Sequence, residues 1–448
     1  MFPYKNEEIM LLRNNSTELI QIPKIEVKKT YQDFFLKYLL PNYPCILSTD
    51  FTKNWKSRKE WCLTDGSPNF EFLQTRFGNA CVPVANCKKE KYGSHPKSEM
   101  TIHDFMSYWE KYKQRGYPSD MDCLYLKDFH FNREFPDYKA YETPGYFTSD
   151  WMNEYWDQRN EICDDYRFVY MGPKGSWTPF HADVFRSFSW SANVCGKKKW
   201  IFFPPGEEEC LKDVHGQLVF DVNSEDLKNP KKYPKFTKLK HRIEVTQLPG
   251  EVIFVPSGWH HQVFNLEDTI SINHNWLNGC NVDISWNYLK LGLMEVEQEI
   301  QDVKEAKMVD GDWYQHCQIM LKADKGINFP EFFDFMRTIV LPRIEILKQQ
   351  TKSTDVVENE LETSHMDTRL STKGDITQTV AKLLTTPHLW NTDCILFDIY
   401  RVKYILEDML KNEEFANFDK EVNGQHVKQI EELISTINES VECCDVDK

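Results

Sequence analysis

Between residues 166 and 280 the chain runs in short aromatic and β-branched segments, each closed by Gly or Pro: YRFVYMG, FRSFSWSANVCG, KKKWIFFPPG, HRIEVTQLPG, EVIFVPSGW and TISINHNWL. Regularly spaced short strands with such punctuation predict an all-β barrel or sandwich. The rest of the protein has to be built around that β core. Residues 205–240, rich in charge and Pro, read as a surface excursion between strands.

The flanks have a different texture. In TYQDFFLKYLLPNYPCIL the apolar residues recur at helical spacing, stop near Pro41 and resume as a short β-prone run. Residues 61–165 mix both signals. TIHDFMSYWEKYKQRG predicts a helix with Thr101 as N-cap and Gly116 near its end, and CLYLKDFHF predicts a strand. After 281 the pattern turns to amphipathic helices, which we expect to pack within the same monomer. The expected division is a tail over 1–21, an α/β part over 22–165, the β core over 166–280 and a helical region over 281–448. A polar linker falls near 351–375, and Cys443-Cys444 lie in what reads as a plain flexible terminus. The fold class is α+β.

With 448 residues, 41% of them hydrophobic, the chain can bury a large core. The N-terminal residues lack the apolar run of a signal peptide, and no segment reaches the length of a membrane span. Thirteen cysteines without any CxxC argue against a disulfide framework or a zinc ribbon, so reduced thiols in cytosol or nucleus are expected, with the cytoplasm as the expected setting. The net charge of -15 opposes general attraction to nucleic acid and makes a basic protein segment the more natural partner.

Within the β block, His181-Ala182-Asp183 sets two metal-ligand side chains two apart, on one face of a strand. The spacing alone is weak, because His365-Met366-Asp367 repeats it in the polar linker. A third histidine on a later strand raises the first copy. Two histidines and a carboxylate make the facial triad of non-haem Fe(II) oxygenases, which leaves coordination positions open. In GWHHQV, alternation sends His260 and His261 to opposite faces, so one pocket takes only one of them.

Two further strands carry polar faces. Ser271, Asn273 and Asn275 share one side of ISINHNW, which reads either as a half-exposed strand or as hydrogen-bond donors for a bound carboxylate. In GKKKWIFF, alternation puts Lys198 with Trp200 and Phe202, and Lys197 and Lys199 with Ile201 and Phe203. Either internal face would carry an ammonium that needs an anion to offset its desolvation. Periodicity does not choose between them.

Over about 165–280, YMGPKGSWTPFHADVFRSFSWSANVCGKKKWIFFPP followed by LPGEVIFVPSGWHHQVFNLEDTISINHNW resembles the JmjC-domain Fe(II)/2-oxoglutarate oxygenases in their small hydroxylase branch. With the lead-in from residue 22 the resemblance spans roughly 260 residues. It implies a double-stranded β-helix with a metal near the mouth of a squashed barrel. It implies His181, Asp183 and His261 as catalytic metal ligands, with His260 standing where the family has a second Trp. Lys198 and Thr178 would hold the distal carboxylate of 2-oxoglutarate, and Tyr125, Asn273 and Asn275 would line that pocket. The implied cofactor is Fe(II), with 2-oxoglutarate and O2 as cosubstrates.

The resemblance extends to the lysyl hydroxylases of the eukaryotic translation release factor, which implies a lysine in a loop of that factor as target. Asp128, Asp165 and Trp190 are the residues we would have grip its ammonium. A JmjC lysine demethylase and an inactive cupin-like scaffold are the rival expectations. His260 is expected to look outward, as packing or as part of the substrate opening.

Overall fold

The computed structural model describes residues 6–14, 21–26, 29–159, 165–305, 312–355 and 392–445. It separates into two units that interleave along the chain, one of residues 1–14, 148–163 and 277–448, the other of 15–147 and 164–276. The sequence reading draws contiguous blocks instead.

The second unit holds the β core. Its strands are β1 (Lys24–Ile25), β2 (Cys45–Leu47), β3 (Cys81–Asn86), β4 (Lys97–Thr101), β5 (Leu124–Phe129), β6 (Arg167–Gly172) and β7 (Trp177–His181). Then follow β8 (Phe188–Cys195), β9 (Lys198–Phe203), β10 (Ile243–Gln247), β11 (Val252–Val255), β12 (His260–Asn265) and β13 (Thr269–Trp276). They form a nine-stranded sheet in the order β1-β2-β11-β8-β13-β6-β5-β3-β4 and a four-stranded sheet in the order β10-β9-β12-β7. The interleaved order of β6 to β13 across two sheets is that of a double-stranded β-helix, so the fold is α+β as expected. Every residue of β8 and β13 is buried, which explains why these strands read as unbroken runs rather than as polar and apolar alternation.

The local readings before the core hold. Helix Tyr31–Phe34 continues as a π-type turn over Phe35–Leu39, ends ahead of Pro41 and is followed by β2. Helix Ile102–Gln114 is capped by Thr101, whose hydroxyl accepts from the Asp104 N–H. The 205–240 segment departs from expectation. It is more than a surface excursion, because Leu211, Val219, Val222, Leu227 and Tyr233 are buried against Phe180, Ile201 and Phe203.

That packing decides the face that periodicity left open. Ile201 and Phe203 turn toward the excursion, while Trp200 and Phe202 turn into the apolar core formed with Ile46, Ile253, Val255 and Trp259. Lys198 shares the inner face and is buried. On the other face Lys199 pairs with Glu244 at 2.6 Å, and Lys197, in the turn, pairs with Glu267 at 2.7 Å. The turn depends on Gly196, at φ +75°, where a Cβ would meet the Asp268 carbonyl oxygen at 2.3 Å.

The first unit is helical, with Val282–Glu299, Trp313–Lys325, Phe329–Asp355, Thr392–Leu410, Glu413–Glu421 and His426–Asp445 as its main elements. Its buried charges are paired. Arg343 reaches Glu154 at 2.9 Å and Asp398 at 2.7 Å, and Arg401 reaches Asp283 at 2.6 Å. Within the stretch read as an N-terminal tail, Asn6–Asn14 is a helix whose Arg13 also binds Asp283, at 2.7 Å. Helix Phe329–Asp355 runs into the expected linker, and the rest of it, with His365-Met366-Asp367, lies outside the described residues. Cys443-Cys444 close a helix that continues to Asp445, so this end is not the plain flexible terminus expected. None of the described helices is long and apolar enough to cross a membrane.

Candidate metal and cosubstrate site

In the antiparallel ladder between β7 and β12, His181 stands directly opposite His261. Their ring centroids lie 4.4 Å apart. Asp183 follows two residues after His181, just past the end of β7, where Ser189 Oγ of β8 donates to its Oδ2 at 2.7 Å. One ligand atom from each of the three side chains lies within 4.8 Å of the others. Among the described residues no other group of three His, Cys, Asp or Glu converges in this way.

The imidazoles are prepared as ligands. His181 Nδ1 meets the Pro179 carbonyl oxygen at 2.8 Å and His261 Nδ1 meets that of Trp259 at 3.0 Å. An Nδ1–H donated to a carbonyl fixes the tautomer and leaves Nε2 with its lone pair. Burial, reinforced by His261, pushes the His181 pKa down to about 3, so this ring is neutral at physiological pH.

The triad opens on a cavity of about 650 Å³, lined also by Tyr125, Thr178, Lys198, Asn273 and Asn275. All eight residues predicted for the site therefore face one space. Lys198 Nζ donates to Ser271 Oγ at 2.7 Å, and no carboxylate lies within ion-pair distance of it among the described residues. Burial, with Lys127 adding like charge, pushes its pKa down to about 7. Of the open alternatives for β13, the inward one holds. Asn275 Nδ2 donates to Ser187 Oγ at 3.2 Å, while Asn273 Oδ1 and Ser191 Oγ are buried without a partner among the described residues. Tyr125 is buried beside Gly172, where a Cβ would strike its ring at 2.4 Å, and burial raises its phenol pKa.

These observations fit both implied groups. Two imidazoles and a carboxylate suit a divalent iron that keeps positions open. A buried ammonium without a counter-ion, beside orphaned polar atoms, suits a carboxylate ligand.

The residues expected to grip a target ammonium fare differently. Asp128 and Trp190 line the cavity. Asp165 does not, because it is buried in a hydrogen bond to His130 at 2.7 Å and a contact with Arg167 at 3.6 Å. His260 is a correction. It is 2% exposed rather than outward-facing, and its ring sits 5.4 Å from that of Phe180 with Nε2 3.0 Å from Arg186 Nη1. The opposite face of β12 is covered by the 205–240 segment, so neither histidine meets solvent.

Sequence reasoning missed Lys127, Tyr170 and Ser189, which all line the cavity. Alternation would send Lys127 and Asp128 to opposite faces, but the β5–β6 register shifts between Leu126 and Phe129, with Asp128 at φ +56°. No residue in LYLKDF announces that bulge.

The cupin-like domain family matches residues 31–281. The chain is 47% identical over 398 residues to the 2-oxoglutarate and iron-dependent oxygenase JMJD4 of Gallus gallus, spanning 89% of this chain and 87% of that protein. Its Homo sapiens counterpart is 46% identical over 368 residues, spanning 82% and 86%. The protein named arginine-specific demethylase JMJ20 of Arabidopsis thaliana is 43% identical over 343 residues, spanning 73% and 72%.

Proposed function

Because the chain belongs to the JmjC oxygenases of the cupin-like family, and is a dioxygenase that uses Fe(II), 2-oxoglutarate and O2, we propose that it hydroxylates a lysine side chain of the eukaryotic translation release factor at carbon. The observation that carries the reading is one cavity facing the His181–Asp183–His261 convergence and the uncompensated Lys198 ammonium. In this reading His181, Asp183 and His261 hold the iron. Lys198 and Thr178 hold the distal carboxylate of 2-oxoglutarate, with Tyr125, Asn273 and Asn275 around it. The setting is the cytoplasm.

The oxidising power comes from Fe(II), 2-oxoglutarate and O2 together, which turn a C–H bond into C–OH while the keto acid leaves as succinate and carbon dioxide. The protein's own share is position and exclusion of water. The carbonyls of Pro179 and Trp259 fix the two imidazoles, and Ser189 fixes one carboxylate oxygen of Asp183, so the donors need no reorganisation to bind. Lys198 is selective for an anion because it is buried. A neutral ligand would leave its ammonium unpaired, whereas a carboxylate replaces the water it has lost.

The name of the Arabidopsis relative favours one second reading, demethylation of an N-methylated arginine. Mass spectrometry separates the two. With Fe(II) and 2-oxoglutarate, the release factor should gain one oxygen on one lysine. Formaldehyde released from a methylarginine peptide, with no oxygen gained on the factor, would favour the demethylase.

A further inference from the structure

Among the described residues, the cavity that would receive the target has two acidic residues in its lining, Asp128 and Asp183. Asp183 belongs to the metal-facing group, and its second oxygen is tied to Ser189. A cationic side chain entering this space therefore has Asp128 as its available carboxylate. We infer that Asp128 receives the cationic end of the target side chain, displacing the Lys97 ammonium that it holds in the free protein. The inference rests on the proposed lysine target and names the residue that selects for its charge.

Several features support it. The β5 bulge turns Asp128 into the cavity, where it lies with Lys127 on one wall. Its φ of +56° is a conformation that few non-glycine residues adopt, and such backbone strain gathers at binding and catalytic sites. Asp128 Oδ1 accepts from the Tyr170 hydroxyl at 2.7 Å, which aims the carboxylate, and Oδ2 takes the Lys97 ammonium. Next to Tyr170, Phe168 lies with its ring centroid 6.4 Å away in stacked orientation, offering a second aromatic face to a cation.

Lys97 is what makes the exchange feasible. It opens β4 at the sheet edge, and its side chain is 48% exposed, so it can swing into water at little cost. An arriving ammonium then replaces an ammonium one for one. Lys127 would otherwise repel it, but the charge around Lys127 stays the same before and after. A neutral target gains nothing by displacing Lys97, and an anionic one leaves Asp128 occupied.

Steady-state kinetics with the release factor as substrate test this on the whole protein. Asp128→Asn should raise KM for the factor about tenfold more than it raises KM for 2-oxoglutarate. Lys97→Ala, which removes the competing ammonium, should lower KM for the factor about threefold. The second variant keeps the test open if the first does not fold. An Asp128→Asn enzyme with unchanged KM for the factor, or a Lys97→Ala enzyme whose KM stays level or rises, overturns the inference while leaving the lysyl hydroxylase reading intact. A wild-type enzyme that adds no oxygen to the factor removes both.

Discussion

Two arginines of the helical unit and one lysine of the β unit are buried in opposite ways. In the helical unit Arg343 and Arg401 are each 1% exposed, and each is met by carboxylates within 3 Å. In the β unit Lys198 is just as deeply buried, but among the described residues it meets the Ser271 hydroxyl and the Tyr170 ring rather than a carboxylate. A buried ion that lacks a counter-ion is costly unless something else supplies one. The contrast therefore separates charge that holds the fold from charge that awaits a ligand, and it does so without reference to any motif. The orphaned Asn273 and Ser191 oxygens fall on the same side of the division.

Substitution should expose the difference. The largest effect on activity is expected from His261→Ala, which should lower iron-dependent succinate formation by more than about a hundredfold, since even outer partners of metal ligands are worth about 10–100-fold. By calorimetry the metal-free protein should lose about 1–3 kcal/mol of stability from the packing of that ring, far too little to unfold it. Turnover near wild type would remove His261 from the ligand set.

Lys198→Met comes next, with KM for 2-oxoglutarate raised by about 30-fold or more. Its effect on stability should have the opposite sign. The unfolded lysine keeps its proton to about pH 10.4, and the folded one releases it near 7. Between those values the unfolded chain binds more protons, so this group makes the ligand-free protein more stable as pH rises. The methionine variant should flatten that rise and be the more stable protein at pH 7. A variant that melts lower there would show that Lys198 holds the fold and would break the comparison.

Arg343→Ala should show the reverse pattern. Stranding Glu154 and Asp398 is expected to cost about 3–5 kcal/mol of stability, read by denaturant unfolding of the full chain. Retained stability would place Arg343 with Lys198. The smallest effect is expected for His260→Ala, at about 1–3 kcal/mol from lost packing and the Arg186 contact. Its metal affinity, followed by isothermal titration, should stay within about threefold of wild type, a difference of under 1 kcal/mol. A collapse in affinity would mean that the opposite face of β12 tunes the site.

Spacing and strand parity narrowed the donors to the His181-Ala182-Asp183 pair and one of His260 and His261, the family resemblance implied His261, and Asp183 falls just past the end of β7. Parity also limited the lysines to two arrangements. Choosing between them required knowing that residues 211–233 fold back over Ile201 and Phe203, a contact between distant segments. Asp165 was misjudged for a similar reason, since its partner His130 is 35 positions away. Lys127 escaped because a bulge breaks the alternation on which strand reading depends. The π-type turn before Pro41 shows the milder case, in which the helix ends where expected but its last turn is wound differently.

The pairing of His181 with His261 also bears on how the protein comes into being. The two rings are some 80 positions apart in the chain and meet only when β7 and β12 have zipped together. Pairing over such a separation carries the entropy of closing a long loop and is slow to form. A chain still leaving the ribosome thus has two of the three proposed donors, His181 and Asp183, without the third. In the proposed reading, iron held by the finished triad would stabilise only the folded state, so its retention would report that the barrel has closed.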